Sequence, residues 1–228
     1  LRPVLGKLMV GLEYLFLRSG PLAMSLNQAG GFVKSEPSLG SPDLQLYFSP
    51  LSYSTAPQGK RPLMSPDPYP AVRLGFNPTK PTSEGWISLE SSDPRKSPKF
   101  VGNYLSTKED KKVMISGMHL MRKFLQTKAM KNIVEEEISP GPDFKDDESF
   151  MNFARDEGGT VFHQCGTCRM GMDVSSSVVD QGLNVHGIKG LRIVDASIFP
   201  RITTGNTNAP AIMVGEKAAD TILADRKL

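Results

Sequence analysis

Residues 190–220 read GLRIVDASIFPRITTGNTNAPAIMVGEKAAD, and three local signals follow one another in them. GLRIVD, at 190–195, is a short apolar run of the kind that a buried parallel strand shows. Asp195-Ala196-Ser197 closes it, and an Asp in that setting is an ordinary turn cap. NTNAP, at 206–210, then leads into PAIMVGEKAADTILAD, where Pro210 suits a first helical turn. Met213, Ala219, Ile222 and Leu223 mark the expected apolar face of that helix. Strand, loop and helix in this order read as the tail of an α/β layer, and residues 155–228 are assigned to it.

Upstream the pattern changes. PDLQLYFSP, from residue 42, alternates Leu44, Leu46 and Phe48 against Asp43, Gln45 and Tyr47, as a half-buried strand does. AVRLGF at 71–76 and EGWISLESSDP at 84–94 are further strand candidates. Residues 50–81 carry eight prolines, too many for a helix or a central strand, which predicts a long loop over a site. Ser106 with Glu109 makes a capping box for a helix along which Met114, Met118, Met121 and Leu125 recur as core residues, leaving His119 off that stripe. A second helix is predicted from the acid-rich start at Asp146 and Asp147 to Gly158, with Phe150, Phe153 and Ala154 on one side. Residues 1–154 thus read as sheet plus helix. The expected class is α/β in the broad sense, α+β overall.

Composition narrows the function. Of 228 residues, 39% are hydrophobic and 22% charged, ordinary for a globular protein, and Lys and Arg exceed Asp and Glu by only 3 with no basic cluster. Nucleic acid is a poor partner for such a surface. The most apolar stretch, 5–24, is interrupted by Lys7, Glu13 and Arg18, so no membrane span or signal peptide is expected. The chain is read as soluble, with its compartment unassigned.

The third distinctive segment is TVFHQCGTCRMG at 160–171, which gathers one of three histidines and both cysteines of the chain. A zinc site needs four ligands, and His119 and His186 stand alone, so no metal is expected. A redox dithiol belongs at a helix start after a strand, whereas Gly166-Thr167 and Arg169-Met170-Gly171 read as loop. Two small packed cysteines are the plain alternative.

Taken in order, HQCGTCRMG, GLRIVDASIFP and TGNTNAPAIMVGEKAAD resemble the C-terminal signature of the glucose-methanol-choline family of flavin oxidoreductases. SGPLAMS at 19–25, PDLQLYF at 42–48, GWISLESSDP at 85–94 and NYLS at 103–106 extend the resemblance over nearly the whole chain. It implies an antiparallel-sheet substrate domain, plus the closing strand and helix of a Rossmann-like FAD domain. It further implies FAD as cofactor and an alcohol as substrate, oxidised to an aldehyde or ketone. His163 matches the family's acid/base and Asn206 its partner on the substrate oxygen, an imidazole suiting proton transfer near neutral pH. Gly166 and Gly171 would let the backbone pass the flavin ring. Asp195 and Ala196 match contacts to the ribityl-pyrophosphate, and Asn206, Thr207, Asn208 and Pro210 match contacts at the flavin's pyrimidine edge, before a helix N-terminus. Cys168 falls on a packing position and Cys165 on a variable one.

One departure is large: no Gly-x-Gly-x-x-Gly follows a strand anywhere in the chain. The expectation is therefore a C-terminal portion that is active only with an N-terminal FAD-binding portion, missing by truncation or nicking or supplied as a separate chain. A flavin-containing hydroxynitrile lyase of the same family and a non-catalytic structural remnant are the alternatives.

Overall fold

The computed structural model describes residues 4–54 and 65–225. Part of the proline-rich segment, 55–64, lies outside them, so the loop expected over 50–81 is described only at its two ends. The elements fall into two units, residues 1–77 with 117–142, and residues 78–116 with 143–228. Helices and antiparallel strands are mixed throughout, the α+β character expected from the sequence.

The first unit opens with helix α1, Val4–Leu17, none of whose side chains is buried. A three-stranded sheet follows, ordered β1 (Ala29–Val33), β2 (Leu44–Ser49) and β5 (Arg73–Pro78), with β1 antiparallel to β2 and Val33 opposite Leu44. A two-residue pair, β3 (Tyr53–Ser54) with β4 (Ser65–Pro66), lies between them in sequence. PDLQLYFSP forms a strand as expected, but its burial does not alternate: Asp43, Leu44 and Ser49 are buried and residues 45–48 are all half-buried. Leu44 is fully buried, whereas Tyr47 donates its phenol to Asn77 Oδ1 at 2.6 Å and is pushed up in pKa by burial. Helix α2, Lys108–Leu125, has its second half in this unit, where Gly117 is pressed against Phe76. A Cβ there would lie 2.2 Å from the ring. Met121 is buried as predicted. Arg122 pairs with Glu137 at 2.8 Å and donates to Gly141 O at 2.7 Å, tying α2 to the chain beyond the short helix α3, Lys128–Lys131.

In the second unit, β6 (Trp86–Ser88) and β7 (Lys99–Val101) pair as a short antiparallel hairpin whose side chains are all exposed. The expected strand over 84–94 is cut to three residues, because the bend at Ser91–Asp93 and the turn built on Asp93 take over the rest. The cap of α2 is shifted by one residue from the expected Ser106/Glu109 box. Thr107 Oγ1 accepts from Asp110 N at 3.2 Å, and the Asp110 carboxylate turns away to accept from Thr82 N (2.7 Å), Thr82 Oγ1 (2.9 Å) and Ser83 N (2.9 Å). Helix α4, Asp147–Asp156, starts where predicted, with Asp146 and Ser149 forming a reciprocal capping box and Phe150 almost fully buried. Helix α5, Asn208–Asp225, closes the unit.

Two expectations for the last segment are corrected. Residues 190–195 form no strand, only an isolated antiparallel bridge between Asn184 and Arg192. Their backbone is used instead by the turn at 180–193, with Ile193 N donating to Leu183 O. The buried face of α5 is Val214 and Ala218 rather than the stripe through Met213 and Leu223, which are 52% and 56% exposed. The helix is apolar on more than one side, so periodicity alone could not select the packed one. Its far end is fastened by an ion pair from Arg192 to Asp225.

Candidate active site

The loop carrying His163 has no helix or ladder of its own, and its path is fixed by backbone bonds on both flanks. Cys168 N donates to Ser197 O at 3.0 Å and Met170 N to Ile198 O at 2.7 Å. On the other side, Gly171 N donates to Val179 O at 2.9 Å. Gly166 lies at φ +91°, and a Cβ there would sit 3.3 Å from Phe199 O, so a left-handed, crowded backbone requires glycine at that point. His186 Nε2 braces the end of the loop, 3.2 Å from Gly171 O and 3.1 Å from Ser177 Oγ. Ser177 Oγ itself donates to Asp173 O, so the ring nitrogen is the donor to both oxygens.

Beneath the loop, Val179, Ile198, Phe199 and Val214 form a buried cluster, with Cys165, Met170, Ile193 and Ala196 packed on it. This one cluster joins the loop to α5. It thereby brings together residues more than 40 positions apart in sequence. The Asn206 carboxamide nitrogen stands 2.8 Å from His163 Nε2, and Thr207 Oγ1 stands 3.1 Å from Nδ1. His163 is half-buried, Asn206 exposed and Thr207 buried. Phe162, immediately before the histidine, and Thr204, just before Gly205-Asn206, both have positive φ (60° and 52°). A non-glycine residue in that region costs about 1–3 kcal/mol and persists only where its surroundings hold it.

Of the remaining sequence-predicted residues, Asp195 and Ala196 belong to a 3-10 turn that contacts α5, and Asn208 and Pro210 lie in the first turn of α5 itself. Asp195 Oδ1 accepts from Ser197 N at 2.8 Å and from Ser197 Oγ, so it caps the 3-10 turn Ala196–Ile198. Ala196 and Pro210 are half-buried, and Asn208 is exposed. The first turn of α5 has no acidic side chain, and the amides of Asn208 and Ala209 have no intrahelical acceptor. Burial pushes the Cys165 thiol up, with the Arg169 charge pulling the other way. Among the described residues no group of three His, Cys, Asp or Glu side chains is disposed to hold a metal ion, and no helix is long and apolar enough to cross a membrane.

Two contacts were not legible in the sequence. Gln164 Nε2 donates to Tyr104 Oη and to Thr160 Oγ1, both at 2.6 Å, and Tyr104 lies between Asn103 and Leu105, both at positive φ. The only signal was the NYLS piece, which carried no role. His186 looked isolated because its partners are a backbone oxygen and a serine, which leave no spacing pattern.

The family model of GMC oxidoreductases matches residues 81–215. An alcohol dehydrogenase [acceptor] of Pseudomonas putida is 38% identical over 222 residues, covering 94% of this chain and 38% of the relative. An oxygen-dependent choline dehydrogenase of Rhizobium rhizogenes is 38% identical over 220 residues, covering 96% and 39%. Among solved structures, a formate oxidase matches with a TM-score of 0.83 at 27% identity, over 100% of this chain and 43% of that one. The chain belongs to the GMC oxidoreductase family. It spans 38% and 39% of the length of these two relatives.

Proposed function

We propose that this chain supplies the proton-handling and substrate-orienting part of an FAD-dependent oxidoreductase that converts an alcohol to an aldehyde or ketone. The observation that carries it is the 2.8 Å approach of the Asn206 amide to His163 Nε2, made by segments 43 residues apart in the chain. Removing hydrogen from an alcohol carbon requires loss of the hydroxyl proton and of a hydride from carbon. A flavin, when bound, would supply the two-electron acceptor for this chemistry. His163 Nε2 takes the hydroxyl proton, an imidazole being suited to accept and release it near neutral pH. The Asn206 amide donates to the substrate oxygen and holds the carbon in one orientation.

The residues fit such a cofactor. Asp195, Ala196, Asn206, Thr207, Asn208 and Pro210 are the proposed contacts. The N-terminal end of α5, where Asn208 and Pro210 lie, carries uncompensated partial positive charge, suited to an electron-rich ring edge or a phosphate. A solved formate oxidase of Aspergillus oryzae, 26% identical, is described for its FAD modification, which supports the choice of flavin. The exposed apolar side chains Phe162, Met172, Ile212 and Met213, each more than half exposed, suit burial against an N-terminal FAD-binding portion of the same enzyme. That portion and a small alcohol are the proposed partners.

The test is anaerobic flavin bleaching by a panel of primary and secondary alcohols, in enzyme containing this chain and the FAD-binding portion. Bleaching that is lost in His163→Ala is the expected result. Bound flavin that no alcohol reduces would overturn the oxidoreductase assignment.

A further inference from the structure

Thr207 occupies the residue before α5, where a threonine hydroxyl ordinarily accepts from the amide two or three residues on. Here the third residue on is Pro210, which has no N–H. The hydroxyl is turned instead to His163 Nδ1 at 3.1 Å, in a buried setting. The peptide N–H of the same residue points at the same nitrogen from 3.5 Å. These two groups ask opposite things of the ring. A peptide N–H can only donate, so it favours an unprotonated Nδ1. A hydroxyl oxygen can accept and so admits a protonated one. On the ring's other side, the amide nitrogen of Asn206 at 2.8 Å also only donates, which requires Nε2 to be the acceptor. The 2.8 Å Asn206 contact therefore decides for a proton at Nδ1, which the hydroxyl at 3.1 Å admits by accepting it, against the longer peptide N–H contact.

We infer that Thr207 is a positioning residue whose hydroxyl holds the neutral His163 ring in the Nδ1–H tautomer, leaving Nε2 bare toward Asn206. The inference deepens the proposed function and rests on it for its kinetic consequence, but the tautomer is a property of this chain alone. Removing the hydroxyl leaves the peptide N–H as the group facing Nδ1. The proton then moves to Nε2, the nitrogen that has to accept one, as the Asn206 amide turns over to present its Oδ1 to it. Thr207→Val keeps the side-chain shape and makes this change, and Thr207→Ser keeps the hydroxyl.

The chain has three histidines, so long-range proton–nitrogen spectra of ring-labelled full chain are assignable by substituting each in turn. They are recorded about two pH units above the ordinary imidazole value of about 6.5, where neutral rings dominate. Wild type and Thr207→Ser are expected to show His163 with a protonated Nδ1 and a bare Nε2. Thr207→Val is expected to reverse the two, with His186 signals unchanged as the check on folding. A wild-type ring already protonated at Nε2 overturns the inference, and so does a Thr207→Val ring that keeps wild-type signals. In flavin-loaded enzyme, Thr207→Val is expected to slow flavin reduction by about 10- to 100-fold, within the range that general acid–base catalysis contributes, with KM little changed. If His163→Ala leaves turnover intact while the tautomer behaves as stated, the functional reading fails and the ring assignment stands. If His163→Ala abolishes turnover while Thr207→Val leaves the ring untouched, the reverse holds.

Discussion

A carboxylate in place of the Asn206 amide is the most direct probe of the residue pair at the site. At 2.8 Å from Nε2, an aspartate would stabilise the charged ring, since an opposite charge within a few ångströms favours the ionised form. On the proposed mechanism, the ring that is to take the substrate proton would then hold one of its own more readily. Asn206→Asp is expected to lower the rate of flavin reduction at pH 7 and to move the rising limb of the pH–rate profile to higher pH. A profile superimposable on that of the wild type would separate Asn206 from the proton-handling step. His163→Ala is expected to cost about 100- to 10,000-fold in the same measurement, the usual range for losing a general base.

At the scale of elements, the buried cluster under the loop matters more than any single hydrogen bond. Ile198 is 2% exposed, its carbonyl accepts from Met170 N of the loop carrying His163, and it shares a buried cluster with Val214 of α5. Ile198→Ala is expected to destabilise by about 2–5 kcal/mol in denaturant titration and to lower activity through loosened geometry. Asp110 anchors the 82–83 segment to α2. Burial raises its carboxyl pKa, but the Ser83 and Thr82 donors together outweigh that and hold it below the usual carboxylate range. A depressed folded value means that the stabilisation is fully present above the unfolded pKa of about 3.9. It is lost as pH falls through the lower, folded value. Asp110→Asn is expected to cost about 1–3 kcal/mol near neutrality and to narrow its deficit against wild type below about pH 4, measured by melting across pH.

These elements also show which parts of the fold could be read in advance. The acid-rich start of α4 is a local signal and holds, whereas the alternation in β2 marks the strand but not its burial, residues 45–48 being evenly half-buried. The α2 cap slipped by one residue because Ser106 and Thr107 are both cap formers and Glu109 and Asp110 both acidic. Residues 190–195 have a strand's composition, but a strand needs a neighbour, and these residues are engaged by an irregular turn. The meeting of His163 with Asn206 has no spacing signature. It was visible only through the family resemblance, and the Thr207 and Tyr104 contacts were not visible at all, since a hydroxyl finds its partner only once the fold exists.

For the whole molecule, the distribution of apolar surface is the dominant property. In α1, Val4, Leu5, Leu8, Met9, Leu15, Phe16 and Leu17 are each more than half exposed, apolar surface of the kind that associates in water. The isolated chain is expected to self-associate at micromolar concentration. Replacing Leu8 and Leu15 with glutamate should raise the monomer fraction in sedimentation without lowering the melting temperature, because neither side chain supports the core. A drop in melting temperature would show that α1 is packed in solution.

The ion pair from Arg192 to Asp225 gives the last helix a practical meaning. Eighteen residues at about 1.5 Å each make α5 a rod whose one end abuts the imidazole and whose other end is pinned at Asp225 to Arg192. Arg192→Ala removes that pin, and because an ion pair with its carboxylate half exposed contributes about 0–1 kcal/mol, the geometry at the imidazole is expected to survive the change.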